Sequence, residues 1–260
     1  MARAAFLALC GAVVAFLLAP VALVLLFAVN PEPFLAFPPT GVSLRWFEKF
    51  VSSRDFMGAF GRSLLLAAAT VALAGAAGTA AAMALARGAL PGREAMTALL
   101  LSPIALPAIL TGFALFQLVM VAGVGRTPWA LLAGHLVVAI PYVARTVLAV
   151  LAHADPALEE AARVHGAGPG RAFREVTLPL ARPGVIAGCL FAFIVSFDQF
   201  PVSLFLVPPG AETLPIAMFN YLRFDNDGTI AAASVVSILL AVALVLGIER
   251  SVGLQEYVRL

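Results

Sequence analysis

Long uncharged stretches alternate with short polar ones through most of the chain. Successive charges leave gaps from Arg3 to Glu32, Arg62 to Arg87 and Glu94 to Arg126. Three more apolar stretches run from about 128 to 151, about 183 to 207 and 228 to 248. A helix rises ~1.5 Å per residue and the hydrocarbon core of a bilayer is ~30 Å thick, so about 20 apolar residues make a span. Each stretch reaches that length, and none shows the period-two alternation of a membrane barrel strand. The pattern predicts an all-α, polytopic membrane protein with six transmembrane helices. The first apolar run, Ala4 to Val29, is longer than the ~7–15-residue core of a signal peptide. Bulky Leu9 before Cys10 also argues against a lipoprotein cleavage site, so this segment reads as a retained first helix.

Composition excludes the soluble alternative. Hydrophobic residues make up 62% of the 260 and charged residues 12%, against roughly 45–50% and about 25% in soluble domains. Cys10 and Cys189 lie in apolar runs, which predicts neither a disulfide framework nor a cysteine metal site. The positions of the charges say more than the net charge of +2. With the amino terminus inside, Arg3, Arg87, Arg93, Arg145, Arg163, Arg171, Arg174, Arg182, Arg250 and Arg259 fall on or near the interior side. Arg45, Lys49, Arg54, Arg62, Arg126 and Arg223 fall outside. Basic residues favour the cytoplasmic side, so both termini are expected there. The exception is the 30–62 loop. Its Leu44, Trp46, Phe47, Phe50, Val51 and Met57 suit either an amphipathic helix on the outer membrane surface or a loop helix packed on the bundle.

The connection between the fourth and fifth helices, residues 152–182, is the most charged interior loop. It holds Asp155, Glu159, Glu160, Arg163, Arg171, Arg174, Glu175 and Arg182. Asp155-Pro156 is a helix start, because Asp caps free N–H groups and Pro is harmless in a first turn. Gly166 can adopt the left-handed conformation that ends a helix. A second short helix starts near Pro169 and is expected to stop before Pro179. The result is a helix–glycine–helix element outside the bilayer, a shape suited to docking a soluble partner. Glu159 and Arg163 have the spacing of a local i,i+4 pair.

Here the residues resemble a known family. Glu160-Ala161-Ala162, three residues, Gly166, nine residues, then Val176-x-Leu178-Pro179 is similar to the EAA loop of permease subunits in binding-protein-dependent ABC importers. Val176 in place of isoleucine is the one departure. Ser196-Phe197-Asp198-Gln199-Phe200, the Thr213-Leu214-Pro215 turn and the Ala-rich last helix look like the spermidine/putrescine-type permeases. The resemblance implies a single permease domain over 1–260, with the 152–182 loop seated in a cleft of a separate ATPase. Small Ala161 and Ala162 would allow close approach, Gly166 the bend, and Glu160 a pair with a basic group or a partner-helix cap. Val176, Leu178 and Pro179 would join this element to the fifth helix, so that ATP-driven motion passes on as a rigid-body movement. It further implies a dimer of ATPase subunits carrying ATP and Mg, a second permease subunit forming a heterodimer, and an external solute-binding protein. The implied location is the bacterial inner membrane, and neither a cofactor on this chain nor a nucleic-acid partner is implied. The implied solute is a polyamine or another small organic solute, with selectivity mainly in the binding protein.

The chain itself is not expected to hydrolyse ATP. A phosphate-binding loop needs G-x-x-x-x-G-K-[ST], and the only lysine, Lys49, sits between Glu48 and Phe50. Asp198 is the sharpest clue outside the loop, because a carboxylate in a span costs a few kcal/mol unless it faces a cavity or partner. With Gln199 it either lines the translocation path or pairs inside the bundle with a hydroxyl such as Ser196 or Ser203. Pro201 predicts a broken helix there, and Pro103, Pro107 and Pro141 predict kinks. Arg145 reads as snorkelling to the inner interface or as a pathway residue. His135 reads as hydrogen-bonded inside the bundle, or as a ligand or relay. Gly75 and Gly78 fit a close-packing second helix, and Asp225 to Gly228 a turn and cap before the last helix. An ion-gradient transporter using Asp198 as its coupling carboxylate is the alternative, and it leaves the EAA-like loop unexplained.

Overall fold

The structure, a computed structural model, describes residues 2–33, 38–88, 90–225 and 227–252. In chain order the helices are α1 (Ala2–Val29), α2 (Arg45–Ser52), α3 (Arg54–Arg87), α4 (Arg93–Ala105), α5 (Ala108–Val121) and α6 (Pro128–His153). There follow α7 (Ala157–Val164), α8 (Pro169–Ala172), a π-helical turn (Phe173–Thr177), α9 (Leu178–Phe197), α10 (Phe200–Leu206), α11 (Leu214–Leu222) and α12 (Thr229–Val252). Among the described residues five helical rods are long and apolar enough to cross a membrane, and α4 with α5 makes a sixth if that bent pair counts as one span. The pair turns through 106°. Pro107 forces the preceding Leu106 into extended backbone (φ −83°, ψ 142°), which a continuous helix cannot hold. The second predicted span starts earlier than its charge pattern indicated, because α3 runs back to Arg54 as a 34-residue helix.

The chain divides into two compact units, residues 1–58 with 217–243 and residues 59–216 with 244–260. In the larger unit α6 packs along α9. Glycines make it possible. A Cβ on Gly184 would lie 2.9 Å from the Thr146 carbonyl oxygen, and one on Gly188 would lie 2.8 Å from the Val143 Cα. Gly184-x-x-x-Gly188 is the small-residue spacing that lets membrane helices approach closely, where there is no hydrophobic force between helices to help. On α3, Gly78 meets Val143 and Ile140 of α6, and Gly75 meets Cys189 of α9. The predicted close packing of this helix is therefore present. Ala74, Ala82, Val143, Val147, Ala181 and Ala192 form the fully buried middle of the three-helix contact. A second core gathers Leu131, Val138, Val202, Leu206 and Ile216.

The fifth span differs from its sequence reading. The second loop helix does not stop before Pro179; helix is continuous from Pro169 to Phe197. The π-turn explains it. Leu178 donates its N–H to Phe173, five residues back, so a fresh α segment begins at Leu178 and Pro179 falls in its first turn. There a missing N–H costs nothing.

In the smaller unit, Trp46 and Phe50 of α2 are buried at 3% and 1% exposure, with Trp46 against Ala28, Ala232 and Val235. The Trp46 indole donates to the Asn30 carbonyl at 2.7 Å. Leu44 and Val51 remain exposed. The packed-helix reading of this segment thus holds for its aromatics. Asp227 caps α12 through Thr229 N–H at 2.9 Å, as the turn-and-cap reading expects. Its other oxygen accepts from Lys49 Nζ at 2.7 Å and from the Tyr221 hydroxyl at 2.9 Å.

Candidate functional site

Within the larger unit, two places match the predicted site residues: the 152–182 loop and the break between α9 and α10. Asp155 accepts the Ala157 N–H at 2.9 Å and starts α7. At the far end Gly166 has φ +88°, a left-handed conformation that favours glycine. Its N–H donates to Arg163 and that of Ala167 to Ala162, both at 3.0 Å, the paired bonds of a Schellman end. Glu160 and Ala161 are exposed on α7 and Ala162 is half-buried. Leu158 at 49% and Val164 at 85% exposure add apolar surface to the same short helix.

Glu159 does not pair with Arg163. Its carboxylate accepts from Arg87 Nε at 2.8 Å, with the two side chains 13% and 21% exposed. Arg87 also donates to the Ala154 carbonyl at 3.2 Å. The partner lies at the end of α3, out of reach of any helical-spacing rule. The charge that the i,i+4 spacing assigned to a pair within α7 instead ties α7 to α3. Val176 is half-buried in the π-turn, while Leu178 and Pro179 are exposed where α9 begins. Phe173 and Leu178 border a cleft of ≈ 560 Å³ with Gly75, Ala76, Thr79 and Met83 of α3. The predicted loop residues therefore sit on three successive elements: α7 with its glycine bend, the π-turn with Val176, and the first turn of α9 with Leu178 and Pro179.

At the break, Pro201 has no N–H for the Phe197 carbonyl, and Gln199 turns away with ψ 89°. Asp198 closes α9, its N–H reaching Ile194 at 3.1 Å, and its side chain is exposed while Gln199 is buried. Ser196 and Ser203 do not serve Asp198. They bond to His135, whose Nδ1 lies 2.8 Å from Ser196 Oγ and whose Nε2 lies 3.0 Å from Ser203 Oγ. Ser196 in turn donates to Thr70 at 3.2 Å. His135 is thus hydrogen-bonded inside the bundle, and Arg145 is exposed on α6. The four-residue polar chain has no sequence signature, since its members come from four helices.

Residues 78–252 match the family described as the inner membrane component of binding-protein-dependent transport systems. The chain belongs to this family. It is a multi-pass permease component of an ABC importer, and its relatives include polyamine permeases. The putrescine transport system permease protein PotI of Escherichia coli is 32% identical over 84% of this chain and 79% of its own length. The spermidine/putrescine permease PotC of Haemophilus influenzae is 31% identical over 79% of this chain and 80% of its own. A bacterial ABC transporter involved in import of the acidic polysaccharide alginate shares the fold, with a TM-score of 0.71, 15% identity and 95% coverage of both chains.

Proposed function

We propose that this permease admits a polyamine such as putrescine or spermidine, and that its 152–182 loop is the contact to a separate ATPase dimer that binds ATP and Mg. The observation that carries the docking role is α7. It presents Glu160, Ala161, Leu158 and Val164 outward while Glu159 is braced on Arg87. Motion imposed on α7 would reach α3 through that ion pair, and motion imposed on Val176, Leu178 and Pro179 would run along the unbroken helix to Phe197. The likeness to putrescine and spermidine/putrescine permeases over about four-fifths of the chain supports the solute. In this reading residues 1–260 form one permease domain with both termini cytoplasmic. It pairs with a second permease of similar fold and receives solute from an external binding protein. Asp198 and Gln199 line the pathway where the helix is broken.

Purification of the tagged complex, reconstituted in vesicles with its binding protein, tests this. Co-purification of an ATPase and ATP-dependent uptake of labelled putrescine are expected. Glu160→Ala and Gly166→Val should each lower uptake about tenfold per ATP hydrolysed, a loss of about 1.4 kcal/mol in coupling. Unchanged coupling in both variants overturns the docking role. Uptake driven by an ion gradient without ATP would transfer the function to Asp198-coupled secondary transport.

A further inference from the structure

The hydrogen-bond chain through Thr70, Ser196, His135 and Ser203 lies outside the 152–182 loop and is buried throughout, at 0%, 4%, 1% and 0% exposure. It takes one side chain each from α3, α9, α6 and α10. Its two serines stand on either side of Asp198-Gln199, one in the last turn of α9 and one in the first turns of α10. Across the break the backbone is held weakly, with Gln199 N–H reaching the Ser196 carbonyl only at 3.4 Å. The side chains supply the missing link. Ser196 gives its one hydroxyl proton to Thr70, so His135 Nδ1 carries the proton that Ser196 accepts. Nε2 is then the acceptor for the Ser203 hydroxyl, and one neutral tautomer satisfies both ring nitrogens. Next to His135, Gly134 lets α10 come close enough for this contact. A Cβ there would lie 2.5 Å from Leu206 Cδ1 and 2.8 Å from Val202 Cγ1.

We propose that His135 is the positioning residue of the pathway break. By holding Ser196 on one ring nitrogen and Ser203 on the other, it sets the angle at Asp198-Gln199 and so the placement of Asp198 along the path. This rests on the reading of Asp198 and Gln199 as pathway residues, and it assigns to a buried imidazole the work that backbone hydrogen bonds do in an unbroken helix.

The test uses the reconstituted complex with Cys10 and Cys189 replaced by Ala. Gln199→Cys reports the break, and Val147→Cys, buried in the α6–α9 seam, reports general loosening. A small membrane-permeant maleimide should react with Gln199→Cys at least tenfold faster when His135→Phe removes both bonds. Ser203→Ala, which removes one, should give a several-fold increase, and Thr70→Ala the least. Val147→Cys should stay unreactive in all three. Unchanged labelling of Gln199→Cys in both His135→Phe and Ser203→Ala overturns the proposal, and equal acceleration at Val147→Cys reduces His135 to a packing residue. Ser203→Ala keeps the test informative if His135→Phe does not assemble. Asp198→Asn, assayed for putrescine uptake, separates the two readings. An unchanged KM there removes Asp198 from the pathway and leaves the labelling result, and with it the His135 clasp, standing on its own.

Discussion

The helical rod from Pro169 to Phe197 contains Pro179 and Pro183 and continues, whereas Pro201 just beyond its end coincides with a break. The residue type is the same and the outcomes are opposite. At Pro179 the preceding π-turn resets the hydrogen-bond register, so the imino acid enters a first turn where no N–H is needed. Pro183 forfeits one bond, but it and Gly184 are buried, Gly184 against α6, and the helix continues through them. At Pro201 nothing comparable supports continuation. α10 is seated separately, its backbone against Gly112 of α5 and its side chains against Gly134 of α6. Along this stretch packing, more than proline itself, decides where the helix breaks. The supported region is one continuous helix from the loop to Phe197, and the unsupported one exposes the only carboxylate of the fifth apolar stretch.

The sharpest way to break the supported region is to fill its seam. Gly188→Leu would drive a side chain into the Val143 backbone and Thr146 Oγ1, where even a Cβ lies 2.8 and 2.5 Å away. Overpacking costs about 1–3 kcal/mol and occasionally more, and a leucine driven against backbone belongs at the upper end. The variant should be lost from detergent-solubilised complexes or unfold far below the parent in a thermal scan. Parent-like unfolding would show that α6 and α9 can separate without harm.

That seam also marks the limit of what the pattern of residues reveals. Six apolar stretches and the α7 start and stop were readable, because spans and caps follow from local spacing and one-residue chemistry. Gly184-x-x-x-Gly188 has the close-packing spacing in plain view in the sequence, as Gly75 and Gly78 on α3 do not. The Arg87–Glu159 pair joins residues 72 positions apart, and local i,i+4 logic pointed to Arg163 instead. The continuity through Pro179 was hidden for a different reason: a π-turn is a register shift that no residue type announces. His135 with its serines is tertiary in the same way.

Arg87→Ala should come next in size. It removes a partly buried ion pair and the bond to the Ala154 carbonyl, leaving Glu159 without its partner. A loss of about 1–2 kcal/mol in unfolding free energy is expected, with Glu159→Ala alike. The double variant should cost much less than the sum, since both remove one interaction. Additive effects would dissolve the link between α7 and α3.

Pro201→Ala bears directly on the comparison. If proline alone made the break, restoring an N–H would heal the helix and move Asp198. If separate packing of α10 makes it, unfolding should shift by less than about 1 kcal/mol. Labelling of Asp198→Cys, in a background lacking Cys10 and Cys189, should stay within twofold. A change of tenfold or more would return the decision to proline.

The smallest effect belongs to the other unit, where Lys49, Tyr221 and Asp227 form a polar clasp between α2 and the start of α12. Burial pushes the Asp227 carboxyl up, but hydrogen bonds from Lys49, Thr229 and Tyr221 outweigh it and hold the group below the usual carboxylate range. The bond to Asp227, then that to Tyr221, raises Lys49 above its ordinary value. Because the folded carboxyl titrates below the unfolded one, at about 3.9, its contribution is complete above that pH and disappears as pH falls through the lower folded value. The lysine contribution is complete below its unfolded pKa of about 10.4 and is lost only under stronger alkali. Between pH 5 and 9 the clasp is therefore constant. Lys49 is 50% exposed, so water screens the pair and Asp227→Asn should cost no more than about 1 kcal/mol. The gap between parent and Asp227→Asn in thermal midpoint should be flat from pH 5 to 9 and narrow toward pH 3. A gap that opens on acidification would mean that the carboxyl is held protonated, against the lysine it faces.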